Sequence, residues 1–228
     1  SHTFTVRATD VLGNTASVKT PAITVDAAVL SAPQLVVASD SGSLGDGVTN
    51  VTRPSFAVSG AATGNVVEII TAAGAVVASG SVGASGTVTV SLSSALADGT
   101  HALTAREVTT KGTEVRKSSA VNVIIDTTPP VVPVVAGALV SGALDPDNIV
   151  TTIKPMLSGT APANSDVQLF LDGAAQPVRV VADAKGAWTW TPPLPLANAN
   201  HTLVARAVDK AGNASGDSNL LNFTVDNT

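Results

Sequence analysis

The chain has 228 residues, of which 44% are hydrophobic and only 13% charged, with a formal net charge of -5. It contains no cysteine, which excludes disulfides, thiolate metal sites and cysteine nucleophiles. Its acidic balance, without a basic run, argues against a nucleic-acid or anionic-membrane partner and points to a cation.

Large core aromatics are nearly absent: Phe4, Phe56, Phe170, Phe223, Trp188 and Trp190 are the whole set. Val, Ala, Leu and Ile supply the apolar material, with 19 Gly and 13 Pro as punctuation. That composition suits short strands between turns and leaves helices scarce. The longest apolar stretch, residues 131–140, contains Pro133 and falls far short of the roughly 20 apolar residues that cross a bilayer. No membrane insertion is expected.

In chain order, the sequence opens on a strand-like run at 2–8, shows no signal peptide and reads as an excised piece of something longer. A turn at Asp10 to Asn14 leads into a second alternating run that ends on Asp26. After Ser31-Ala32-Pro33, the period-two pattern predicts strands at 33–38, 54–60, 65–71, 75–80, 86–92, 101–108 and 117–125. Asp126-Thr127-Thr128-Pro129-Pro130 then interrupts pairing, because proline fixes φ and removes a ladder donor. The same series follows about 100 residues further on.

The repeat is explicit in three segments, His2-Thr3-Phe4-Thr5-Val6-Arg7-Ala8, His101-Ala102-Leu103-Thr104-Ala105-Arg106-Glu107 and His201-Thr202-Leu203-Val204-Ala205-Arg206-Ala207, offset by 99 and 100. Each is followed by a glycine turn (Gly13, Gly112, Gly212) and a run ending on Asp26, Asp126 or Asp226. About seven strands in roughly 100 residues is the arithmetic of an immunoglobulin-like sandwich. The expected fold class is therefore all-β: tandem sandwiches in an elongated rod, with 1–28 the C-terminal part of one domain and 29–128 and 129–228 two complete ones.

No Gly-x-Ser-x-Gly, His-Glu-x-x-His, phosphate-loop or dinucleotide motif is present, so the expectation is a protein without catalytic residues. The three histidines recur once per repeat and are expected to be partly solvated at one end of each sandwich. Trp188 and Trp190 are expected on opposite faces of one strand, one in the core and the other near an edge.

Oxygen-rich clusters are the informative chemistry. They comprise the turn Asp209 to Asn213 with its copy Asp10 to Asn14, the strand-ending Asp126 with its copies Asp26 and Asp226, and the loop from Asp40 through Asp46 to Asn50. Oxygen donors without His or Cys suit Ca²⁺, which takes six to eight oxygens, carbonyls included. Sandwich topology predicts that Asp126 faces Asp209 and Asn213 across the linker, an interdomain metal site. The loop 40–50, near the turn holding Asp98, is expected to form a second, intradomain site. Thr109 and Thr113 replace the Asp and Asn of the middle turn, so the junction at Asp26 is expected to bind metal weakly or not at all. The competing reading of every such turn is that Asp and Asn beside Gly hydrogen-bond their own backbone.

Taken together, the repeat length, Asp-Thr-Thr-Pro-Pro, the Asp-x-x-Gly-Asn turn, Gly-Asp-Gly-Val-Thr-Asn and Gly-Ala-Trp-Thr-Trp resemble the tandem bacterial Ig-like domains of giant type I secreted repetitive adhesins. The resemblance covers essentially the whole chain. It implies a secreted or surface-tethered spacer that serves cell adhesion or biofilm formation, stiffened by Ca²⁺ at domain junctions. Its ligand pattern is matched by Asp126, Asp209 and Asn213, whereas Thr109, Thr113 and Ala27-Ala28 depart from it. The implied partners are neighbouring repeats of the same chain and, through the full-length protein, a host-cell surface or matrix; the segment itself is expected to be a monomer. Two alternatives are a direct glycan- or protein-binding Ig-like module, which an exposed aromatic platform would favour, and an accessory module of a secreted glycosidase, which flanking sequence would decide.

Overall fold

A computed structural model describes residues 3–21, 29–140, 143–144 and 146–228. Its regular structure is strand apart from one 3₁₀ turn at Val37–Ser39, among the described residues. β-Branched Val, Ile and Thr are stiff at χ1 and pack well on a pleated surface, which is why this composition favours strands over helices.

The chain begins with a hairpin, β1 (Thr5–Thr9) against β2 (Thr15–Lys19), with Thr5 opposite Lys19. Every residue of both strands is exposed.

The first unit comprises β3 (Gln34–Leu35), β4 (Val48–Thr49), β5 (Ser55–Ser59), β6 (Val66–Thr71), β7 (Val76–Ser81), β8 (Thr87–Ser91), β9 (Gly99–Val108) and β10 (Glu114–Ile125). One sheet runs β3-β5-β8 and the other β4-β10-β9-β6-β7. Seven of these strands overlap the seven expected positions. The eighth, β4, is too short for periodicity to find. It pairs parallel to β10, with Val48 beside Ile124, while β3 pairs antiparallel to β5. The first strand thus changes sheets part-way along, and the crossing segment 36–47 lies between the two sheets' edges towards the trailing end, where the linker leaves.

The second unit repeats the plan with β11 (Val134–Val140), β12 (Ala143–Leu144), β13 (Ile149–Val150), β14 (Met156–Thr160), β15 (Asp166–Leu171), β16 (Ala174–Ala175), β17 (Val180–Val181), β18 (Ala187–Trp190), β19 (Ala199–Val208) and β20 (Leu221–Val225). Its sheets run β12-β11-β14-β18 and β13-β20-β19-β15-β16, with β17 also on β15, and β13 is again parallel to β20. This is the all-β, tandem-sandwich class that the sequence implies.

Each unit encloses its own core. Val67 and Val167, Ile69 and Leu169, Leu103 and Leu203, Ala105 and Ala205, and Val123 and Phe223 lie 100 residues apart and are all buried. A fully buried Leu or Ile contributes about 1.5–3 kcal/mol, so these columns carry the fold. The placing of Trp188 and Trp190 on opposite faces is overturned: both are buried, at 3% and 8% exposure. A strand's side chains alternate, so residues two apart share a face. Neither ring forms an exposed platform.

Candidate functional site

The Asp-x-x-Gly-Asn turn builds itself first. Asp209 Oδ1 accepts the Asn213 N–H at 2.8 Å, Oδ2 accepts the Asn213 amide at 2.9 Å, and the Gly212 N–H donates to the Asp209 carbonyl at 3.2 Å. The Asp10 turn is nearly superposable in its bonding, with Asp10 accepting Asn14 N–H and Asn14 Nδ2, both at 2.9 Å. These hydrogen bonds, led by the Asn14 amide, hold the Asp10 carboxyl below its ordinary pKa against a small opposing burial effect. Thr109 and Thr113 keep the turn with a single side-chain bond, Thr113 N–H to Thr109 Oγ1 at 3.2 Å. The self-bonding role of these Asp–Asn pairs is therefore common to docked and undocked turns.

What distinguishes 209–213 is what it touches. The Ser41 hydroxyl donates to the Ala211 carbonyl at 2.6 Å, and the Ser43 N–H donates to the Lys210 carbonyl at 3.0 Å. Asn50 Nδ2 donates to Asn213 Oδ1 at 3.2 Å, and Asn213 Nδ2 donates to the Asp126 carbonyl at 2.8 Å. The trailing end of the first unit is thus sewn to the leading end of the second. Asn213 is 9% exposed and Ala211 fully buried in this seam. Gly42 and Gly212 meet backbone to backbone: a Cβ on Gly42 would lie 2.1 Å from the Lys210 carbonyl oxygen and 2.5 Å from Gly212 N.

Asp126, Asp209 and Asn213 are accordingly brought together across the linker, through the main-chain oxygen of Asp126. The Asp126 carboxylate itself accepts the Thr128 N–H at 3.0 Å. The loop 40–50 lies in the seam, and Asp98 accepts Thr127 N–H, Thr127 Oγ1 and Thr128 Oγ1 at 3.1, 2.8 and 3.1 Å. Those bonds, the Thr127 hydroxyl foremost, lower the Asp98 pKa and anchor the linker where it leaves β10. Asp46 Oδ1 accepts the Val48 N–H at 2.9 Å, an Asx turn that starts β4. Asp26 lies outside the described residues.

Asp40 stands apart. It is 8% exposed, its Oδ2 accepts the Gly45 N–H at 2.5 Å, and its Oδ1 is buried without a hydrogen-bond partner. A buried carboxylate oxygen left unpaired is costly, and it is the kind of atom a cation would satisfy. The donors near it in sequence are hydroxyl, carbonyl and amide oxygens, which suit Ca²⁺. Among the described residues no three His, Cys, Asp or Glu side chains converge on one point. Any ion here would depend largely on neutral oxygens. Ser41, Gly42 and Asn50 were not singled out as seam residues in the sequence, since their partners lie 163 to 170 positions away.

The sequence profile of a family described as bacterial Ig-like domain matches residues 28–127 and again 128–227. The chain belongs to that family. Among solved structures it is similar to a Ca²⁺-stabilised adhesin that helps an Antarctic bacterium bind ice, with 18% identity, 98% of this chain and 56% of that one covered, and a TM-score of 0.45. It is also similar to a four-repeat stretch from the extending region of a large adhesion protein (23% identity, 99% and 56% covered, TM-score 0.33) and to titin domains A168–A170 (13%, 98% and 74%, TM-score 0.41). The chain spans 56% of the length of the first two. A comparison with curated proteins found no match. No helix among the described residues is long and apolar enough to cross a membrane.

Proposed function

We propose that the chain is a stretch of the non-catalytic stalk of a secreted or surface-held bacterial adhesin, in which Ig-like units space a binding region from the cell and Ca²⁺ stiffens the junction between them. Units at 29–128 and 129–228, preceded by the last hairpin of another unit, are the natural division. Neighbouring repeats are the direct partners, and contact with a host surface or matrix belongs to the full-length protein, which supports adhesion or biofilm formation.

The observation that carries this reading is the buried, unpartnered Oδ1 of Asp40 in a loop that is itself one wall of the seam. Asp40 would hold the ion, with loop carbonyls completing an oxygen shell, and Asp126, Asp209 and Asn213 would shape the facing side. A bound cation supplies positive charge that relieves the desolvated carboxylate and locks the loop against the 209–213 turn. Extracellular modules bind calcium with dissociation constants of about 10⁻⁴ to 10⁻³ M. At tenfold saturation the folded junction gains about 1.4 kcal/mol, enough to bias the linker without supporting the fold.

Calcium titration of the chain, followed by thermal melting and small-angle scattering, tests the reading. Melting is expected to rise and the scattering profile to lengthen, with Asp40→Asn removing most of the response and Asp209→Ala part of it. An identical melt and profile in calcium and in EDTA would overturn it.

A further inference from the structure

The two described histidines at equivalent positions have different surroundings. His101 Nε2 lies 2.8 Å from the Ala97 carbonyl oxygen. His201 repeats this contact, with Nε2 3.0 Å from the Ala197 oxygen, and adds another: Nδ1 lies 2.8 Å from Asp172 Oδ2. The first unit has Ala72 one hundred residues earlier, where no carboxylate is available. His201 is 8% exposed, not partly solvated as expected from sequence, and its ring lies 5.5 Å from that of Phe223. Asp172 occupies the β15–β16 turn at φ 49°, a left-handed conformation that Asp and Asn tolerate. Its Oδ1 accepts the Thr202 N–H at 2.8 Å.

Both ring nitrogens therefore face acceptors. A neutral imidazole carries one N–H and can donate to only one of them, leaving a lone pair on the other nitrogen pointed at an oxygen. The imidazolium satisfies both. We propose that His201 is held as an imidazolium and acts as a pH-dependent latch, tying the β15–β16 turn to the loop before β19 at the trailing end of the second unit.

The latch reaches the chain's exit. Asn198, next to Ala197, accepts the Asn227 N–H at 3.3 Å, so the tied loop also holds the segment leaving β20. The groups facing the ring are the Asp172 carboxylate from the β15–β16 turn, the neutral Ala197 carbonyl from the loop and the neutral Phe223 ring from β20. Asp226, just past β20, is turned to the Thr228 hydroxyl and N–H. Burial pulls the His201 pKa down, but the hydrogen bonds to Asp172 and Ala197, with the Asp172 charge, more than reverse this and leave it raised. For Asp172, burial opposes and the bonds from His201 and Thr202 prevail, so its pKa is lowered. The latch is thus complete below the pKa of unfolded histidine and is lost as pH rises through the folded value; on the acid side it is lost as pH falls through the folded pKa of Asp172.

Imidazole ¹⁵N NMR on the 228-residue chain tests this. Below its folded-state midpoint both ring nitrogens of His201 are expected to carry protons, and its signals to titrate at higher pH than those of the same chain unfolded in urea. The amide signals of Thr202 and Asn227 should move with the same midpoint. Asp172→Asn keeps a residue suited to the turn but presents an amide N–H to Nδ1, so the neutral ring suffices and proton affinity should fall several-fold. A midpoint no higher than that of the unfolded chain, or one unchanged by Asp172→Asn, overturns the proposal.

Discussion

Glu107 is fully buried near the leading end of the first unit, where its carboxylate accepts the Ala62 N–H at 2.9 Å, Asn65 Nδ2 at 2.6 Å and Arg116 Nε at 2.6 Å. Ala207 stands at the same place in the second unit. Burial pushes the Glu107 pKa up, yet the three donors outweigh it and the net shift is downward. Its stabilising contribution is therefore present above the unfolded-state pKa and lost as pH falls through the folded one. Glu107→Gln replaces the charged acceptor of the Ala62, Asn65 and Arg116 donors by a neutral amide in a largely dry site, at an expected cost of about 1.5–3 kcal/mol near neutral pH. Urea unfolding across pH checks this: the gap between variant and parent should close in acid. By contrast the Arg206–Asp217 pair is exposed, and breaking it should leave the urea midpoint nearly unchanged because solvent screens it. At this scale the sequence announced candidate oxygens such as Asp40 and Asp209 but could not separate them. The two differ in whether each oxygen finds a donor, and donors such as the Gly45 N–H are placed by the path of the loop.

Between elements, the repeat conserves shape more than residue type. On the facing strands of one sheet, Val58 opposes Val88 in the first unit, while Gly159 opposes Trp188 in the second. A Cβ on Gly159 would lie 2.3 Å from Trp188 Cζ2 and 2.2 Å from the Val134 carbonyl oxygen. The large ring thus occupies the space its partner's missing side chain leaves, a redistribution of volume across one pair. Gly159→Ala is expected to cost about 1–3 kcal/mol through overpacking, measurable as a lower urea midpoint with unchanged slope. Because the Val134 carbonyl still crowds the new methyl, shrinking Trp188 to Val in the same chain should not restore stability. The strands themselves were legible: alternation marks β5, β6, β9 and β19 in plain sequence, since the buried face needs apolar residues at every second position. β4 and β13 were not, because two-residue parallel pairs carry no period and are made by a partner strand distant in the chain.

Across the whole molecule, the seam joins two sandwiches that fold around separate cores. Gly42→Ala would drive a methyl into the Lys210 carbonyl at a residue with φ +69°, which Ala adopts poorly. The expected outcome is a junction that opens, seen as a broadened distance distribution in small-angle scattering. Unfolding of the second unit should be nearly unchanged, because its core lies outside the contact. By itself the sequence determined the all-β class, the repeat of about one hundred residues and the positions of seven of the first unit's eight strands. Those depend on local alternation and turn chemistry, which are written along the chain. Only the tertiary structure decided which oxygens meet: that Asp40 is buried with one oxygen unpaired, that Asn213 bridges to the Asp126 carbonyl, and that His201 gained Asp172 as a carboxylate partner at the position where the first unit has Ala72. Each of those contacts is set by how sheets, crossing loop and linker pack in space, where the side-chain partners lie 29 and 87 residues apart.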